Sequence, residues 1–231
     1  KWCARLGGVC ALAALALAAL AGCKVVTQPQ TPGAMDVSIE VQRYAQGGSH
    51  IVVHFGTANY DTVEFVAGET VACNGVFLRY SLGSYIGDVP RQDDSGTYTI
   101  TYTPAAGTPG ASAGPVTVAA AVVPAAVAVS QPTSGASVPI NAPLTVTYQP
   151  TQLANTSINA VVADARANFD FTWPGGETGT LTIPTSTLSG LQAGPGTLTV
   201  VRETTTNPGG TAYHSVVVHF KNITQIPVTW A

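Results

Sequence analysis

Charge is scarce in this chain of 231 residues: Asp, Glu, Lys and Arg make up 9% of it, against roughly 25% in an average soluble domain. Scarcity of charge together with 45% hydrophobic residues excludes a disordered chain, which is poor in apolar residues and strongly charged. A basic stripe is missing as well. Beyond Lys1 and Arg5, the Lys and Arg residues are scattered from Lys24 to Lys221, so nothing neutralises a run of phosphates and no nucleic acid is expected as partner. No stretch carries a capped helical stripe, since the Ala-rich 118–128 is interrupted by paired valines and Pro124. Among catalytic strings, neither S-x-x-K nor H-E-x-x-H occurs, and the twelve acidic residues leave little from which to assemble a carboxylate site. The expectation is therefore not an enzyme, with no catalytic residues, no cofactor and no metal.

Disulfides are excluded by position rather than by number. Of four cysteines, Cys3 and Cys10 lie in an N-terminal segment with the layout of a secretory signal: Lys1 and Arg5, then an apolar run from Val9 to Ala21. That run is shorter than the ~20 residues a spanning helix needs. It ends on Leu20-Ala21-Gly22-Cys23, which resembles the lipobox of bacterial lipoproteins. The resemblance implies a signal peptide over 1–22, cleavage before Cys23 and lipidation of that thiol, giving a membrane-anchored lipoprotein on the outer face or outer membrane of the bacterial cell envelope. Two or three acyl chains anchor stably where one is marginal. Cys73 is then left alone, read as a buried strand thiol. Residues 23–34, Pro-bearing and without periodicity from Val25 onward, read as the lipidated Cys and a flexible tether.

From residue 35, β-branched or alternating runs bounded by Gly, Pro, Asn and Asp recur about every ten residues. Strands are expected near 36–44, 50–56, 62–66, 69–73, 76–82, 97–103 and 115–121, then near 126–130, 144–149, 158–163, 169–173, 178–183, 197–204, 212–220 and 226–230. A repeat relates the halves. Gly68-Glu69-Thr70-Val71 before Val76–Tyr80 parallels Gly135-Ala136-Ser137-Val138 before Leu144–Tyr148, and Gly96-Thr97-Tyr98-Thr99-Ile100 parallels Gly196-Thr197-Leu198-Thr199-Val200. Val116-Thr117-Val118 and Val216-Val217-Val218 follow at the same offset. Asp94-Ser95-Gly96-Thr97-Tyr98 resembles the tyrosine corner of immunoglobulin domains, with Asp94 and Tyr98 as its structural residues; the second copy has Pro195 and Leu198 there instead. The fold class expected is all-β, with two tandem immunoglobulin-like sandwiches over 35–122 and 123–231.

Sites are few. His50 and His54 lie about 13 Å apart if His50–His54 is a strand, so they cannot share a metal, and His214 and His219 face opposite sides of theirs. Asp88, Asp93 and Asp94 lie in one loop, but without the ligand spacing of a calcium site. Among Tyr60, Phe77, Tyr80, Tyr85 and Trp173, only Trp173 in Phe171-Thr172-Trp173-Pro174-Gly175-Gly176 stands out as a ligand contact, at the break between strand and turn. The function expected is a non-enzymatic, lipid-anchored binding or structural protein of the envelope that presents its modules to a protein or polysaccharide. Its alternatives are a carbohydrate-binding or accessory module of an envelope enzyme system and, more distantly, an extracellular hydrolase.

Overall fold

The computed structural model describes residues 25–26, 30–45, 47–58, 61–109, 111, 114–120, 125–151 and 155–231. The expected signal peptide, Cys23, Tyr60 and the expected boundary at 122–123 lie outside the described residues. The strands are β1 (Val25–Val26), β2 (Met35–Tyr44), β3 (Ser49–Thr57), β4 (Thr62–Val63), β5 (Thr70–Cys73), β6 (Val76–Phe77), β7 (Arg79–Ser81), β8 (Ser84–Val89), β9 (Tyr98–Thr103) and β10 (Val116–Ala120). There follow β11 (Ala128–Gln131), β12 (Ser137–Val138), β13 (Leu144–Gln149), β14 (Thr156–Ala163), β15 (Asn168–Thr172), β16 (Thr180–Ile183), β17 (Gly194–Thr206) and β18 (Ser215–Trp230). An α-helical turn, Thr185–Leu188, lies between β16 and β17. The chain is all-β and builds two immunoglobulin-like sandwiches.

In the first sandwich the order β7-β8-β3-β2 faces β6-β5-β9-β10, the two-sheet order of an immunoglobulin domain. Strict alternation drives it. Val37, Ile39 and Val41 of β2 and Ile51, Val53 and Phe55 of β3 are buried, while their neighbours point the other way. The second sandwich sets β12-β18-β17-β14-β15 against the smaller sheet β11-β13-β16. Its core closes on Trp230, whose indole N–H donates to the Ala163 carbonyl at 2.8 Å. Gly196 lies under that indole, where a Cβ would meet the ring nitrogen at 1.9 Å, so only glycine admits the tryptophan.

The two sandwiches share a sheet. β17 and β18 pair from Gly194↔Trp230 to Thr206↔Val218, and β18 then pairs in parallel with β2, from Ser215↔Asp36 to Ile223↔Tyr44. The outer hairpin of the second sandwich thereby lies along the free edge of the first, and an 11-stranded sheet runs through both. Alternate residues of β18 face one side throughout: Val216, Val218 and Phe220 belong to the first core, Ile226, Val228 and Trp230 to the second. The expected separation into 35–122 and 123–231 is thus not a separation of packing, because Tyr213 and the first half of β18 complete the first core.

Several expected elements differ. The expected strand 76–82 is two strands in different sheets, switching at buried Leu78, whose N–H bonds to the Val71 carbonyl. β8 was not expected, because Gly87 and Asp88 read as a loop. The runs 212–220 and 226–230 are one strand. Pro227 fits inside it because its carbonyl accepts from Gly135 N–H, on the side away from β17, so its missing donor removes no bond of the β17 ladder. The expected tether is partly structured: Val25–Val26 pairs in parallel with Thr62–Val63, and Pro32 is buried at the start of a 3-10 turn. Valine is a residue type enriched in strands, and this pair extends the sheet beyond β4.

Candidate functional site

Where β18 passes from one core to the other, its inward position is Asn222. That residue is paired with Arg43 of β2 on one side and Arg202 of β17 on the other, and all three are buried. A cation out of water must be paired and hydrogen-bonded. Arg202 Nε donates to Glu177 Oε1 at 2.6 Å and Nη2 to Oε2 at 3.0 Å, while Nη1 and Nη2 reach the carbonyls of Ala125 and Pro150 at 2.7 and 2.5 Å. Thr156 Oγ1 completes the site with a bond to Glu177 Oε1 at 2.8 Å. Arg43 Nη2 donates to Asp94 Oδ1 at 2.8 Å and to the Gln92 carbonyl at 2.9 Å. Thr224 Oγ1 holds the Val127 carbonyl at 2.7 Å. The segment leading into the second sandwich is therefore fastened across a polar row at the joint. Sequence reasoning missed the row because its members are far apart in the chain, and only the unusual Arg and Asn on apolar-patterned strands signalled it.

Tyr98 stands at the far end of this network. Its hydroxyl accepts the Gln92 N–H at 3.1 Å and shares a bond with Ser49 Oγ at 2.7 Å. Asp94 is turned to Arg43 rather than into its own turn.

Trp173 follows β15, the edge strand of the large sheet. Its indole lies over its own turn, where a Cβ on Gly175 would come within 2.6 Å of the ring, and its N–H donates to the Gly176 carbonyl at 3.1 Å. Phe169, Phe171 and Trp173 share one face of this edge at alternate positions and are half-buried against the second core. The rings of Phe171 and Trp173 lie 6.2 Å apart and tilted by 45°. The row stays half-open because β16, in the facing sheet, pairs with β13 alone among the described residues; no fourth strand covers β15. Chemically, this edge offers aromatic faces with their one polar handle already engaged, suited to stacking more than to directed hydrogen bonding.

The remaining expected residues are dispersed. His50 and His54 bond separately, to Asp88 Oδ1 at 2.8 Å and to the Gly83 carbonyl at 2.9 Å. His214 meets Asp36 Oδ1 at 2.7 Å and His219 meets Thr205 Oγ1 at 3.0 Å. Asp88, Asp93 and Asp94 turn to three different partners, with Asp93 accepting from Ser95 N–H and Oγ. Among the described residues no three His, Cys, Asp or Glu side chains gather as a metal site would require. Cys73 is buried, and burial pushes its thiol up to about 12. Of the other aromatics, Tyr85 is buried, Tyr80 packs on it at 5.1 Å, and Phe77 is 69% exposed. The sequence is expected to hold no G-x-S-x-G string, and this is corrected: Gly110-Ala111-Ser112-Ala113-Gly114 has that nucleophile-elbow spacing. Its Gly110, Ser112 and Ala113 lie outside the described residues.

No family model matches the chain and no curated protein aligns with it. Solved structures similar to it include the tandem immunoglobulin repeats of Dlar, at 12% identity and TM-score 0.34, covering 85% of this chain and 98% of that one. A chimeric titin Z1Z2 tandem aligns at 13% identity and TM-score 0.26, covering 88% and 99%. The IG1 and IG2 pair of DIP-gamma aligns at 9% and 0.24, covering 88% and 97%. The immunoglobulin-like assignment rests on strand order and on the bonds of Tyr98 rather than on these superpositions.

Proposed function

We propose that this protein is a non-enzymatic binding and structural module, held at the bacterial envelope by acyl chains on Cys23, that presents a rigid double sandwich to a protein or polysaccharide partner. The observation carrying this reading is the shared sheet with its buried Arg43–Asn222–Arg202 row. Such a joint fixes the two sandwiches before a ligand arrives, so binding need not order a hinge. The alternative of a carbohydrate-binding accessory module is favoured by one feature, the half-open row Phe169, Phe171 and Trp173, since sugar rings stack on aromatic faces.

The address is tested by the intact mass of membrane-extracted protein and of Cys23→Ala. The expected wild type begins at Cys23 with added acyl mass, and the variant loses both that mass and membrane association. A soluble, unmodified wild type overturns the anchor. The ligand class is tested by retention on insoluble envelope glycan against Trp173→Ala: retention lost in the variant supports the polysaccharide, and equal retention points to a protein ligand or another face.

A further inference from the structure

We propose that Leu82, at the tip of the β7–β8 hairpin, is a second membrane contact, dipping into a zwitterionic bilayer on which the first sandwich sits directly; this rests on the Cys23 anchor proposed above. Two hairpins in the first sandwich have nearly the same backbone. Asn74-Gly75, between paired Cys73 and Val76, has φ of 48° and 81°, and Leu82-Gly83, between paired Ser81 and Ser84, has φ of 49° and 82°. Two-residue turns with both φ positive favour Asn or Asp followed by Gly. The first obeys that rule, and the second places a leucine in a region that L side chains with γ-branches avoid. That leucine is also 102% exposed. A single exposed leucine is ordinary on a protein surface, but here the sequence keeps it at a turn position where asparagine would fit the backbone better. The backbone cost is steric and the same in any solvent, so the gain that offsets it must come from the exposed side chain, which an apolar surface would stabilise.

Its position supplies that environment. The β3–β8 register, Val53↔Tyr85, continues to put Leu82 level with Gly56. Gly56 is paired with Thr62, and Thr62 with Val25. Contact agrees with register, since a Cβ on Gly83 would lie 3.5 Å from Thr62 Cγ2. β1 runs parallel to β4 and enters the sheet from this same end. Cys23 is two residues before Val25, and two residues span at most about 7 Å. Acyl chains on Cys23 therefore bring the bilayer surface to the level of the Leu82 tip, with no long tether between. Lys24 beside the anchor and Arg79 on β7 are offset by Asp61 and Glu64 around β4, so this end carries no excess of positive charge to demand anionic headgroups and fits a zwitterionic surface.

The test uses the full-length, lipidated protein with Leu82→Cys carrying a nitroxide, in phosphatidylcholine vesicles, with Thr117→Cys on β10 as the exposed reference. Buried Cys73 does not compete for the label, and Cys3 and Cys10, which uncleaved Cys23→Ala protein would keep, are replaced by Ser in every variant. The expected result is severalfold greater relaxation of the label by oxygen, relative to a water-soluble nickel chelate, at position 82 than at 117, disappearing in Cys23→Ala protein left in solution. Equal accessibility at both positions in vesicle-bound, acylated protein overturns the inference and leaves the anchor standing. Protein that lacks acyl mass and does not float with vesicles overturns both. Shielding of the label in the soluble Cys23→Ala protein would assign Leu82 to a contact between copies and also overturn the bilayer. Leu82→Asn separates folding from contact: it is expected to melt at or above the wild-type temperature, and a lower melting temperature would make Leu82 a structural residue.

Discussion

The first sandwich is closed where the second is open. Beside β8 in the first lies β7, whereas the equivalent flank of β16 in the second carries no strand among the described residues, and the aromatic row on β15 is left half-covered. The second in turn extends β17 and β18 past its own core and covers the edge of β2 that the first would otherwise expose. An uncovered edge is a template for unwanted pairing, and here one sandwich's edge is shielded by the other's hairpin. The comparison teaches that sequence position and structural membership diverge: the first core takes in residues from Tyr213 to Phe220, and the second core takes none from before Val127.

The sharpest way to break this asymmetry is Phe220→Ala. Deleting that ring from the first core is expected to cost about 4 kcal/mol, and hydrogen exchange should quicken in β2 and β3, more than 160 residues earlier in the chain. Exchange rising only within 128–231 would contradict the shared packing. Next, Glu177→Ala leaves Arg202 buried with its carbonyl partners alone, at a cost of about 3 kcal/mol, read as a shift in the urea midpoint. This loss should loosen the 125–127 segment and the second sandwich first. A change under ~0.5 kcal/mol would remove the polar row as a structural joint. Tyr98→Phe deletes the hydroxyl bonded to Ser49 and Gln92 and should cost about 1–2 kcal/mol. Leu198→Tyr in the second copy should not raise the melting temperature, because Leu198 is fully buried and the larger ring would overpack that core.

The smallest effect concerns pH at the seam of β2 and β18. Burial acts to raise the pKa of Glu40, but bonds from Lys221 and Gln42 outweigh it and hold the carboxyl below its ordinary value. Asp36 is lowered too, by Ser215 first and then His214. A carboxylate whose folded pKa is depressed stabilises the fold above its unfolded value, near pH 4, and that stability is lost as pH falls through the folded value. Both groups are partly in solvent, so the expected contribution is under about 1 kcal/mol. The double variant Asp36→Asn, Glu40→Gln should show a shallower fall in melting temperature between pH 5 and 3 than the wild type. Parallel curves would remove the seam from the acid response.

Period-2 burial made much of the fold legible. β2, β3, β13 and β14 alternate so regularly that few other structures suit them. The repeat was legible in part. The Gly96 and Gly196 segments do occupy equivalent strands, β9 and β17, but the match between 68–80 and 135–148 does not, since it sets β5 and β6 against β12 and β13. Val116–Val118 and Val216–Val218 share an offset yet serve the same core, because β18 reaches back to the first sandwich. β8 was hidden by Gly87 and Asp88, residues that read as turn when their cross-strand partners Ile51 and His50 are unknown. Of the candidate sites, Tyr98 and Trp173 were visible as motifs, whereas the Arg43–Asn222–Arg202 row was not, for its three members come from three strands and no spacing links them.

Sequence by itself determined that the body is all-β and duplicated, and which residues face a core, because side-chain alternation and turn chemistry are local. It could not determine which core each residue enters. Residues 216 to 230 are one alternating apolar face, interrupted by Asn222 and Thr224, and nothing local distinguishes its two halves. Only the tertiary structure, by laying β18 against β2 at one end and against β12 at the other, assigned those halves to different sandwiches, because strand pairing is decided by which edges remain open once the rest of the chain has folded.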